Sequence, residues 1–97
     1  MAGYICLVKF TNKQLVEIKQ GPEGIKKAKE LAQKMGIRVV GIWITMGEYD
    51  DVTILDAPND QVVATFVLDM ARHGYITTNT MRAFSEDEFA QIVGKLS

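Results

Sequence analysis

Cysteine, histidine and tryptophan occur once each in these 97 residues, and proline only twice. The single thiol, Cys6, excludes an intrachain disulfide, and one Cys with one His cannot build a zinc cluster. No metal site is expected, and a reducing, cytoplasmic setting fits. No apolar run approaches the ~20 residues that cross a bilayer. The N-terminus has no basic segment leading into an apolar stretch and a small-residue cleavage site, so it does not read as a signal peptide. No membrane partner is expected.

A charge excess of either sign is also missing. Eleven basic residues face twelve acidic ones, for a net charge of −1. Nucleic-acid binding draws on a strong basic excess or stripe, so no nucleic-acid partner is expected. Lys26, Lys27 and Lys29 do cluster, but Glu23 and Glu30 lie among them, which is the pattern of a solvated helix face. The sequence contains no G-x-x-x-x-G-K-S/T, G-x-G-x-x-G, C-x-x-C, H-E-x-x-H or G-x-S-x-G. That weighs against nucleotide hydrolysis, dinucleotide binding, structural zinc and serine hydrolysis.

What is present is an ordinary globular composition, 47% hydrophobic and 24% charged. It points to one domain over residues 1–97. Residues 4–10, YICLVKF, are rich in β-branched and aromatic types and read as a strand. Thr11 and Gln14 can form a capping box for a short helix near residues 12–20, with Phe10 stapled onto Leu15. Gly21-Pro22 interrupts it, and Pro22 suits the first position of a new helix. Over residues 22–35, Ile25, Ala28, Leu31, Ala32 and Met35 share one helical face, and Gly36 is a stop.

Residues 37–46 and 51–57 read as the second and third strands. Pro58-Asn59-Asp60 starts a helix over residues 60–73 with Val63, Phe66, Val67 and Met70 on one face, and Gly74 ends it. Residues 75–84 read as a fourth strand. Ser85 and Glu88 make a capping box for a last helix striped with Phe89, Ile92, Val93 and Leu96. The order β-α-β-β-α-β plus a C-terminal helix is the split, ferredoxin-like α+β arrangement. It has a four-stranded antiparallel sheet with helices on one face.

Strand residues alternate between faces. The first strand carries Ile5 and Leu7 on one face and Tyr4, Cys6, Val8 and Phe10 on the other. The second divides into Val40, Ile42, Ile44 and Met46 against Val39 and Trp43. The third has Val52 and Ile54 on one side and Leu55 on the other. Both sheet faces are thus apolar, and two helices cover only one. An uncovered patch of this kind is unusual for a monomer. A second copy packed sheet to sheet about a two-fold axis is the economical cover. The competing cover is the terminal helix folded across the same face.

The stretches VVGIWITMGEYDDVTILDAPND (39–60) and TNTMRAFSEDEF (78–89) resemble the GYD domain family, named for a Gly-x-Tyr-Asp-like signature. FTNKQLVEIKQGPEG (10–24) and AKELAQKMG (28–36) are similar to the family's first half. The resemblance covers nearly the whole chain. It implies the dimeric α+β barrel grouping, consistent with a two-faced sheet. It brings no established reaction, and relatives in that grouping range from cofactor-free monooxygenases to regulatory binding modules.

Several residues are candidates for a site. Gly47-Glu48-Tyr49-Asp50-Asp51 reads first as a hairpin turn, with Gly47 at positive φ and Asp50 accepting backbone N–H bonds. Read as a site, Tyr49 donates a hydrogen bond and Asp50 or Asp51 is a base at a pocket mouth. His73 stands at a helix C-terminus, where the dipole favours its charged form, and reads as a cap before it reads as a general base or haem ligand. Trp43, Tyr4, Phe10 and Met46 are candidates to line an apolar cavity. Asn79, Thr77 and Arg82 are candidates for polar contacts. Cys6 reads as a small buried hydrophobe.

Two functions follow. One is a homo-oligomeric small-molecule-binding or interaction module without cofactor. The other is a cofactor-free enzyme, monooxygenase- or isomerase-like, acting on a small apolar or aromatic substrate through Tyr49, Asp50 and His73. The enzyme requires an ionisable group pointing into a cavity; the module requires only a pocket or an interface.

Overall fold

The computed structural model describes residues 1–97. Its elements are β1 (Ala2–Phe10), α1 (Asn12–Val16), a 3-10 turn (Ile18–Gln20), α2 (Gly21–Lys34), β2 (Arg38–Ile44), β3 (Asp51–Ala57), α3 (Asp60–Ala71), β4 (Ile76–Ala83) and α4 (Glu86–Gly94). Helix starts lie where the caps predict them. The Thr11 hydroxyl accepts from the Gln14 amide, the Asn59 side chain from Val62, and Ser85 and Glu88 form a reciprocal capping box. Gly36 and Gly74 follow α2 and α3 at positive φ, as helix stops require.

The helix expected over residues 12–20 is two pieces. Val16 is exposed and β-branched and α1 has no buried residue, so little apolar burial rewards continuing the helix, and the chain tightens into a 3-10 turn.

The strands form one sheet in the order β2-β3-β1-β4, with every neighbouring pair antiparallel. The fold is ferredoxin-like α+β. Alternation along β1 sends Tyr4, Cys6 and Val8 into the core, where Leu55 and Ala57 of β3 meet Ala32 of α2 and Val63 and Phe66 of α3. Leu55 is completely buried, a burial worth ~1.5–3 kcal/mol for a side chain of this size. The Tyr4 hydroxyl donates to Asp60 at the start of α3, tying the central strand to the helix layer. That bond also raises the Tyr4 pKa above its ordinary value.

β2 departs from the expected alternation. A register shift between Val39 and Gly41 inserts an extra residue, so Val39 pairs with Leu55 while Ile42 pairs with Thr53. Val39 therefore faces the helices together with Ile42 and Ile44, instead of sharing a face with Trp43. Strict period-two counting fails across a bulge.

The other sheet face carries Ile5, Leu7, Val52, Ile54, Trp43 and Met81 in cross-strand register. No helix covers it. α4 does not fold across it: Phe89, Ile92, Val93 and Leu96 are all exposed, and α4 packs substantially on no other element. The Cα radius of gyration is 14.7 Å, against about 12.5 Å for a compact domain of this length. The molecule is elongated, with principal extents of 53 × 31 × 19 Å.

Candidate functional site

Between the sheet and α1, α2 and α3 lies a cavity of about 390 Å³. Its floor includes Cys6 and Val8 of β1, Ile42 of β2 and Leu55 of β3, and its roof includes Ile25 of α2 with Phe66 and Met70 of α3. Space remains because α2 turns Gly21, Gly24 and Ala28 toward it, residues too small to fill the gap. Pockets of ~300–1,000 Å³ with mostly apolar walls and a few polar groups are the usual form of small-molecule sites.

The polar groups here are few. Asp51 is the only carboxylate in the lining and Lys29 the only ammonium. Asp51 opens β3, opposite Val8 on one side and Ile44 on the other. The Thr53 hydroxyl donates to Asp51 Oδ1 at 2.8 Å, and Oδ2 has no protein donor. Burial pushes the Asp51 carboxyl above the usual carboxylate range, partly offset by the Thr53 bond. Burial likewise pushes the Cys6 thiol up, against a smaller lowering effect of Thr80. An ordinary buried thiol of this sort is inert.

None of Trp43, Tyr49, Asp50, His73, Asn79 or Arg82 lines the cavity. Of the four residues grouped by apolar character, only Phe10 lines it. Tyr4 lies in the core, Met46 is fully exposed and Trp43 belongs to the open face. Asn79 is exposed on that same face, opposite Leu7, and Thr77 is exposed opposite Lys9. His73 is exposed beyond α3, and its backbone carbonyl accepts from Lys13 Nζ at 2.9 Å. Arg82 is a structural clasp. Its guanidinium donates to the Gly3 and Ala83 carbonyls, pairs with Glu88 at 3.3 Å, and lies 4.5 Å from the Phe84 ring centroid.

Asp50 ties the β2–β3 turn to the end of β1, an inner strand. Its amide donates to the Val8 carbonyl at 2.9 Å, and its carboxylate accepts from the Phe10 amide at 2.9 Å. Thr53, bonded to Asp51, and Thr78, across Val8 from it, also line the cavity and are not among the residues singled out from the sequence. The available signal is alternation: Asp51, Thr53 and Leu55 share the helix-facing side of β3.

No group of three His, Cys, Asp or Glu side chains is placed to hold a metal ion, and no helix is long and apolar enough to cross a membrane. The GYD domain family model matches residues 4–93. The chain belongs to the GYD domain family. A relative from Thermus thermophilus, described as a glutamine synthetase and cystathionine beta-lyase binding protein, is 32% identical over 84 residues. The match spans 86% of this chain and 88% of that protein.

In this GYD domain the signature residues Gly47-Glu48-Tyr49-Asp50 are the β2–β3 connection. Gly47 has φ +114°, the Thr45 amide donates to the Asp50 carbonyl at 2.9 Å, and the Thr45 hydroxyl donates to the Tyr49 carbonyl at 2.7 Å. The Tyr49 ring lies 5.5 Å from the Lys9 ammonium. Lys9 belongs to the open face of β1, so the aromatic residue that a turn does not require sits at the edge of that face, away from the cavity lining.

Proposed function

We propose that this protein is a homo-oligomeric module for protein and small-molecule binding, with its protein contacts on the open sheet face and on α4. The carrying observation is apolar surface with nothing over it. Trp43, 53% exposed, shares the open sheet face with Ile5, Leu7, Ile54 and Met81, and α4 presents a second stripe. Exposed patches of this kind mark interaction surfaces.

A second copy packed face to face would bury Trp43 and make a dimeric α+β barrel. The α4 stripe would remain for another protein. The Thermus relative's description as a binding protein of two enzymes supports partners of that kind here, and glutamine synthetase and cystathionine beta-lyase are the first to try. A cytoplasmic setting fits the lone, unpaired Cys6.

Sedimentation equilibrium tests the reading. A dimer or larger species is expected, with Trp43→Glu shifting it to monomer. Ile92→Glu should leave the oligomer intact and weaken binding of the partner enzymes. Wild-type protein that stays monomeric at micromolar concentration would sink the sheet pairing.

A second reading is the cofactor-free enzyme. It is favoured only by Asp51, an ionisable group inside an apolar cavity. Tyr49, Asp50 and His73 lie outside the lining, so an enzyme built on those three is not the form we propose.

A further inference from the structure

The cavity under the helices is a more particular site than an apolar void. We propose that it binds a small apolar amine, with the hydrocarbon part between Ile25, Val39, Phe66 and Met70 and the ammonium on Asp51 Oδ2. This rests on the small-molecule half of the proposed function and is independent of the sheet and α4 surfaces.

Three observations converge on this ligand. The first is size: about 390 Å³ exceeds the ~150 Å³ that holds benzene in an apolar protein cavity, so a ring with a short chain fits. The second is the walls, where Ile25, Val39, Ile42, Phe66, Val67 and Met70 offer dispersion contacts and no hydrogen bonds. The third is the one acid. Thr53 occupies Asp51 Oδ1 and leaves Oδ2 without a protein donor. Lys29, the only lining cation, is exposed and makes no ion pair with Asp51.

A half-buried carboxylate without a cation carries a desolvation penalty that the charge-assisted hydrogen bond of an ammonium offsets better than the neutral bond of a hydroxyl. The upward push of burial on this carboxyl reports the same penalty. An anionic ligand would meet repulsion from Asp51, and a purely apolar one would leave the carboxylate unpartnered in a drier site.

Calorimetric titration of the full chain with 2-phenylethylamine and with 2-phenylethanol, its neutral counterpart of matched size, tests the inference. Saturable binding of the amine, about tenfold or more tighter than the alcohol, is expected. Asp51→Asn, which keeps the Thr53 acceptor, should bring the amine down to the level of the alcohol. Ala28→Leu should fill the cavity and abolish both.

Equal affinity for amine and alcohol in the wild-type protein would overturn the proposal without any variant being needed. So would amine binding that survives Asp51→Asn, or the absence of saturable binding. Sedimentation in the presence of amine separates the two ideas. The ligand should leave the oligomer unchanged, so a failed titration says nothing against sheet pairing, and a monomeric protein says nothing against the cavity.

Discussion

Trp43 lies directly over Gly41: a methyl group built on Gly41 would come within 2.3 Å of the indole Cη2 and 2.7 Å of Cζ3. The two residues are two apart on one strand face, so the missing side chain of one makes room for the other. Gly41→Ala would push the ring off the sheet, because the contact is with the far end of a side chain and not with backbone. Alanine also suits a strand better than glycine by ~0.5–1 kcal/mol. The expected result is a folded protein with a changed emission spectrum from its only tryptophan and weaker self-association. Unchanged emission would show that the ring does not depend on Gly41.

Asp50 joins the hairpin to the end of β1 through its own amide and its carboxylate. Asp50→Ala leaves the Phe10 amide without that acceptor and should cost ~1.5–3 kcal/mol, while Asp50→Asn retains an acceptor and should cost less. Urea denaturation of the pair against wild type measures both. Equal midpoints for wild type and Asp50→Ala would remove the bracing role.

Gly47 sits at φ +114°, where a Cβ would meet nothing within 4 Å. Any penalty is therefore a backbone penalty. Gly47→Val should destabilise by ~1–3 kcal/mol in the same assay, and unaltered stability would mean that the turn relaxes to a common conformation.

Asp51 gives a pH signature. Its folded pKa is raised by burial, so its contribution to stability is fully present below the ordinary carboxylate range and is lost as pH rises through the raised value. Cys6 from β1, Lys29 from α2 and Tyr75 ahead of β4 are the other titratable groups around the cavity. The Cys6 thiol, pushed up by burial, stays protonated across this window. Asp51→Asn should be more stable than wild type at neutral pH, with the difference shrinking on acidification. Denaturation midpoints at several pH values decide it, and a constant difference would place the carboxylate in solvent.

Glu88 behaves in the opposite sense. The Ser85 amide bond, helped by Arg82, holds its pKa below the usual carboxylate range, against a smaller effect of desolvation. Its support of the α4 cap is present above that range and is lost as pH falls through the lowered value. The Ser85 amide resonance should report the loss in acid. Arg82→Ala should move that transition up in pH, and an unmoved transition would show that the guanidinium does not contribute.

Local chemistry in the sequence was enough for much of this protein. Three N-caps, the helix stops, alternation in β1 and β3, and the β-α-β-β-α-β order are written in neighbouring residues, and all lead to the ferredoxin-like sheet. Gly47 was legible for the same reason, since a tight turn at positive φ selects glycine wherever it occurs. The chain around residues 12–20 was less so, because what breaks a helix there is the absence of anything to bury against.

Tertiary structure decided the rest. The bulge at Val39–Gly41 moved Val39 to the helix side, and only cross-strand pairing reveals a bulge. Small residues on α2, well separated along the chain from Asp51 and Thr53, leave a cavity once the helices dock. The residues with the most evident chemistry, Trp43, Tyr49, Asp50 and His73, are placed by strand register and turn geometry on an open face, in the β2–β3 turn and at a helix end. Sequence spacing determines what each segment becomes; which side chains line one cavity depends on how the segments pack, and that is a property of the whole chain.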